Sequence, residues 1–185
     1  MTKSVSLILF LACFALLPGC KKDSTGPENG QGKTITDLLV KNSEIGGWTY
    51  FGSGWTANNL TELTVKIDGA SDIYQRHGFI EAASQDFQGN VNSAAARLSI
   101  MVFNQGTTSN AAALYADPAI GFSGALSWTT CGNAAHYVRN GGLSQELAFT
   151  RNGYYVYVNI DHDTDESLSV IQQFALNLDG KIQTQ

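Results

Sequence analysis

The densest set of groups able to hold a cation or move a proton is Asp161-His162-Asp163-Thr164-Asp165-Glu166. Asp161, Asp163 and Asp165 fall on the alternate positions that open a calcium loop. The rest of that pattern is missing. Glu166 stands where a glycine makes the sharp turn, and Gln172 stands where a bidentate glutamate closes the cage. His162 adds a nitrogen that suits a transition metal, so Asp161, His162 and Asp163 are the candidate metal ligands, with no further ligand close by in sequence. A helix start competes for the same residues: Asp163 and Glu166, three apart, fit a capping pair whose negative charge complements a helix N-terminus. Acidic residues before a helical stripe more commonly serve that purpose.

Cys131, in Thr129-Thr130-Cys131-Gly132-Asn133, is the candidate nucleophile, and His136 the base that would activate it. The alternative is a small apolar filler, because free cysteine is among the most buried residue types. Nothing else in the chain completes a nucleophile site. His77 stands beside Arg76 with no second histidine at metal-ligand spacing. There is no HExxH, nucleophile elbow, phosphate loop or dinucleotide fingerprint. No cofactor is expected.

Aromatic side chains gather in two places. Gly46 to Trp55 (GGWTYFGSGW) alternates small residues with Trp48, Tyr50, Phe51 and Trp55. Tyr155 and Tyr157 share one face of a strand by period-two geometry, with Tyr154 on the other. Trp48, Trp55, Tyr155 and Tyr157 are therefore the candidate ligand-binding residues, as platforms for a sugar or a peptide. Large rings also serve ordinary core packing, and half-buried strands are enriched in tyrosine.

The elements that must position these groups follow from periodicity. Asn59 to Tyr74 reads as a helix, opened by Asn59 and Glu62 as a capping box, with Leu60, Leu63, Ile67, Ala70 and Tyr74 as its stripe. Phe79 to Phe87 reads as a strand closed by a turn at Gln88-Gly89-Asn90, and Ala94 to Phe103 alternates as its antiparallel neighbour. Thr107 to Ala116 reads as a helix capped by Thr108 or Ser109, with Pro118 just past its end. Ala125 to Thr130 and Ala134 to Val138 are short strands. Leu143 to Thr150 and Tyr154 to Ile160 flank Arg151-Asn152-Gly153, the strongest hairpin signal in the chain. A last helix runs from about Asp165 to Leu178 on a stripe of Leu168, Ile171, Ala175 and Leu178, with Gly180 as its stop. The expected fold is α+β, a mostly antiparallel sheet with about three helices packed on one side.

Residues 1–19 read as a signal peptide. Lys3 gives a positive start, and Leu7 to Leu17 is an apolar run of eleven, short of the roughly 20 residues a spanning helix needs. Leu17-Pro18-Gly19-Cys20 resembles the lipobox of bacterial lipoproteins. That resemblance implies lipidation of Cys20 and cleavage before it, hence a lipid bilayer as partner. Lys21, rather than an acidic residue, then implies the outer membrane ahead of the inner. Residues 20–33 are polar and glycine-bearing and read as a flexible tether, with residues 34–185 as one domain.

Charge sets further bounds. The chain has 11 Lys and Arg against 16 Asp and Glu, a formal charge of −5, with no basic cluster to hold nucleic acid. Beyond Cys13 and Cys20 only Cys131 remains, so the domain has no internal disulfide to expect.

The central stretch also resembles a family of secreted bacterial proteins whose domain has no assigned function. The matching residues are Asp68-Gly69-Ala70-Ser71-Asp72-Ile73-Tyr74 before Gly78-Phe79, then Leu98 to Phe103 and Ser109 to Tyr115. Phe149 to Leu178 matches in layout. The resemblance implies export and an α+β fold, and no activity. The sequence thus points to an envelope lipoprotein whose non-catalytic domain binds an envelope protein or a small ligand. The alternatives are a secreted hydrolase or metal-dependent enzyme, or a structural subunit.

Overall fold

The computed structural model describes residues 33–185. The signal peptide, Cys20 and nearly all of the tether lie outside the described residues. Helix α1 (Ile35–Leu38) leads to an edge made of two short strands, β1 (Thr49–Tyr50) and β2 (Trp55–Ala57), which pair with the same neighbour. Two helices, α2 (Leu60–Lys66) and α3 (Ser71–Arg76), precede the long strands β3 (Glu81–Val91) and β4 (Ala94–Asn104). Then come α4 (Thr108–Tyr115), β5 (Leu126–Ser127), β6 (Ala134–Arg139), β7 (Gln145–Arg151), β8 (Tyr154–Ile160) and α5 (Asp165–Gln183). The eight strands form one sheet in the order β1-β3-β4-β8-β7-β6-β5, with β2 also on β3, and every pairing is antiparallel. The α+β class with an antiparallel sheet is as the sequence leads one to expect.

The helices, however, are five among the described residues, and they lie on both faces of the sheet. On the first face α1 and α5 bury Leu98, Ile100 and Val102 of β4 and Val156, Val158 and Ile160 of β8 against Phe174, Ile171 and Leu178. On the second face Leu63 of α2 and Leu114 of α4 pack with Ala82, Phe103, Ala148 and Tyr155. The reason is in the strands: β8 carries valines and an isoleucine on one side and Tyr155 and Tyr157 on the other. Neither side is polar enough to face water, and a sheet apolar on both faces needs two covers.

Three local expectations shift. The helix over Asn59–Tyr74 is broken after Lys66, because Asp68 and Gly69 take left-handed conformations (φ 49° and 85°) that a continuing helix excludes. The turn expected at Gln88-Gly89-Asn90 lies instead at Asn92 and Ser93 (φ 48° and 66°), and β3 runs straight through Gly89. A Cβ on Gly89 would come within 2.6–2.8 Å of the Trp48 indole, so the absence of a side chain there makes room for a ring. The last helix passes Gly180 and continues to Gln183. Its buried side supplies Leu178, Asp179 and Ile182, and that packing outweighs the roughly 1 kcal/mol that a glycine costs a helix interior.

Candidate functional site

The start of α5 settles how the acidic cluster is used. Thr164 is the N-cap, and its hydroxyl accepts from the Ser167 N–H at 3.1 Å while the Thr164 N–H donates to Ser167 Oγ at 2.7 Å. The capping pair is therefore Thr164 with Ser167, in place of Asp163 with Glu166. Asp163 turns away from the helix. It accepts from Arg139 Nε at 2.6 Å, Gln145 Nε2 at 2.9 Å and the Gly142 N–H at 2.8 Å. The Gly142 amide, then Arg139 and Gln145, hold its carboxyl below the ordinary carboxylate range. Asp161 accepts from the Arg97 N–H at 2.8 Å and lies 2.8 Å from His162 Nδ1. The three candidate metal ligands are thus divided between two separate tasks. No group of three His, Cys, Asp or Glu able to hold a metal ion is found among the described residues.

Cys131 and His136 are not brought together. Cys131 packs in the first-face core with Ala135, while His136, the next residue along β6, points to the second face. Burial pushes the Cys131 thiol up to about 12, and the nearby Asp179 charge adds to it, so no thiolate forms at neutral pH. His136 lies between Tyr115 and Phe122, with ring centroids 4.5 and 4.8 Å away. Burial lowers its pKa, and its Nε2 is buried with no partner among the described residues.

Of the four candidate aromatics, two leave the list. Trp48 is 4% exposed against Phe174, and Tyr155 is 3% exposed beneath α2 and α4. Both are core. Trp55 and Tyr157 are half-buried, and the strand register places them on the same face. Trp55 is opposite Ser84, Ser84 opposite Met101, and Met101 opposite Tyr157, forming one row across four strands.

That row marks where the cover on the second face ends. The row above it, Ala82, Phe103 and Tyr155, is sealed. The row below is Asp86, Ser99, Asn159 and Glu146, one from each of β3, β4, β8 and β7. Asp86 is exposed and the other three are half-buried, and none belongs to the core cluster. Ser99 Oγ donates to Asp86 at 2.6 Å, and Asn140 Nδ2 to Glu146 at 2.8 Å. Arg97, one step further along β4, donates to Gln88 Oε1 at 2.8 Å and lies 3.5 Å from the centre of the exposed Phe51 ring. Phe122 is stacked near Tyr157 at 6.0 Å. The result is a shelf of rings and a methionine bordered by carboxylate, hydroxyl and amide groups. Sequence reasoning missed this polar row because its members lie on four strands. The available signal was the alternation of Asp86 and Gln88 with Phe87, and of Arg97 and Ser99 with Leu98.

A cleft of about 330 Å³ adjoins the Trp55 end of this shelf, between α1 and the β1–β2 edge, and is lined by Thr36, Leu39, Lys41, Tyr50 and Gln85 together with Trp55 and Ser84. Gly54 presses onto the backbone of Ser84 at its rim, where any side chain would collide. Its polar groups are largely turned onto the protein itself. The Tyr50 hydroxyl donates to Val40 O at 3.2 Å, Lys41 Nζ to Thr36 O at 3.1 Å, and Gln85 Nε2 to Asp86 O at 2.8 Å. On the sheet face the polar row draws on four strands and lies directly beside the rings.

No protein-family model and no curated protein matches the chain. Among solved structures the chain is similar to the extracellular domain of PknH from Mycobacterium tuberculosis. The TM-score is 0.50 at 12% sequence identity, over 82% of this chain and 95% of that one. At such an identity the likeness is one of fold alone, an α+β domain built on an antiparallel sheet.

Proposed function

We propose that the chain is an envelope lipoprotein, anchored through Cys20, whose α+β domain is non-catalytic and binds a ligand on the open half of the second sheet face. The anchor is supported by the Leu17-Pro18-Gly19-Cys20 motif and by the polar sequence of residues 21–33 between it and Ile35, the first buried core residue among the described ones. No helix among the described residues is long and apolar enough to cross a membrane. The fold likeness to an extracellular domain agrees with a place outside the cytoplasm. The resemblance to secreted bacterial domains points the same way.

One observation carries the binding function. The half-buried row of Trp55, Met101 and Tyr157 lies beside a row of Asp86, Ser99, Asn159 and Glu146 on an uncovered part of the sheet. Apolar surface next to a few placed polar groups is the composition of ligand sites. The test is photo-crosslinking in the producing cell. A crosslinking side chain at Ser99 is expected to capture a molecule of the envelope, and one at the exposed Val65 of α2 is expected to capture none. Equal capture at both positions contradicts a site on this face.

A further inference from the structure

We infer that the ligand of this face is a neutral oligosaccharide, bound and not cleaved. The inference rests on the ligand-binding function proposed above and specifies the class of ligand. Trp55 and Tyr157 lie on strands three steps apart, roughly 14 Å at about 4.8 Å per step. One end of the shelf is therefore Trp55 and the other the Tyr157–Phe122 pair, a span that a single sugar ring does not bridge. Rings of this kind offer flat apolar surface with a polar tip, which matches the C–H faces of pyranoses. Between them run Asp86, Ser99, Asn159 and Glu146, a mixture of acceptors and donors suited to hydroxyls that are both.

Charge argues against an anionic ligand. Asp86, Glu146 and Asp161 line or flank the polar row. Arg97 is the one cation among the described residues of these rows, and it is engaged by Gln88 and by the Phe51 ring. An anionic glycan or a phosphate group meets like charge here. Each carboxylate is partly engaged, Asp86 by Ser99, Glu146 by Asn140 and Asp161 by the Arg97 amide, and would still accept from lysine, so it is the aromatic shelf that favours a saccharide over a basic peptide. These bonds leave lone pairs for neutral hydroxyl donors without displacing a protein partner. The row holds no pair arranged as in a glycosidase: Asp86 and Glu146 leave the same sheet face from strands three steps apart, roughly 14 Å between backbones, whereas paired glycosidase carboxyl groups stand about 5–9.5 Å apart.

The test uses the mature chain made soluble by Cys20→Ser and labelled with nitrogen-15. It is titrated separately with cellohexaose, with chitohexaose and with an octalysine peptide, following amide and indole N–H signals. The expected result is that a hexasaccharide shifts Ser99, Asn159, Glu146 and the Trp55 indole. Trp55→Ala is expected to weaken that binding about tenfold while the α5 signals stay in place. If octalysine moves these signals and neither saccharide does, the saccharide class is overturned and a ligand site on this face survives. If no probe moves them, the saccharide inference also falls, and crosslinking from Ser99 decides the ligand-binding function independently.

Discussion

Arg151 grips Asp179 through two hydrogen bonds, Nε to Oδ1 at 2.6 Å and Nη2 to Oδ2 at 2.8 Å, and so ties the β7–β8 hairpin to α5. Asp179 also accepts from the Gly132 N–H at 3.1 Å and from Gln183 at 3.0 Å. Burial opposes its charge, yet these partners outweigh burial, and the carboxyl sits below its ordinary value. A carboxyl lowered in the folded state adds stability that is present above its unfolded pKa and lost as pH falls through the folded one. Asp179→Asn leaves a half-buried guanidinium without its counter-charge. It is expected to cost about 3 kcal/mol at neutral pH and to flatten the loss of stability below about pH 4. Urea unfolding of both proteins from pH 2 to 7 measures each effect.

Gly89 is required by a ring and not by a turn. The Trp48 indole fills the place of its missing Cβ, and Trp48 is itself clamped edge-on to Phe174 at 5.7 Å. The indole is buried and cannot swing aside. Gly89→Ala is therefore expected to destabilise by about 1–3 kcal/mol through overpacking, read as a lowered denaturation midpoint. An unchanged midpoint would contradict this role for Trp48.

Cys131 is expected to be inert in the folded protein. The residue is 2% exposed, and burial pushes the pKa of its thiol up to about 12. In Cys20→Ser protein, a disulfide reagent at pH 8 is expected to leave it unmodified until denaturant is added. Fast modification of the native chain would restore the case for a reactive thiol.

His136 predicts an acid-side loss of stability distinct from that of Asp179. Its pKa is lowered from 6.5 by burial between Tyr115 and Phe122. The unfolded chain then takes up the proton more readily, so the stability linked to His136 is complete above pH 6.5 and falls as pH drops below that value. Tyr115 faces it from α4, Tyr157 lies on β8 and Glu146 on β7 along the same sheet face, and none of the three holds its Nε2. His136→Phe keeps the ring packing and removes the titration. Its stability is expected to stay level between pH 7 and 5 while that of the native sequence declines, by thermal unfolding in matched buffers.

Much of the fold was legible because local chemistry and tertiary packing agree. Asn152 does take positive φ (53°) between β7 and β8, and β8 spans Tyr154–Ile160 as its composition indicates. What stayed hidden were relations between distant residues. Gly89 resembles a turn glycine until Trp48 is seen above it. Gly180 resembles a stop until Asp179 and Ile182 are seen buried beyond Leu178. Tyr155 and Tyr157 share a face, as periodicity requires, but the position of α2 and α4 decides that one is sealed and the other half-open. Asp161, His162 and Asp163 are adjacent in sequence, yet Arg139 and Gln145 draw Asp163 away from the other two. Asp86, Ser99, Asn159 and Glu146 form a row only once four strands are in register.

The anchor on Cys20 is the claim on which an envelope role depends, and an intact-mass measurement on the native protein tests it directly. The account predicts a chain that begins at Cys20, carries a thioether-linked diacylglycerol and partitions into detergent. A chain that carries no acyl group, or that starts at any other residue, would contradict it.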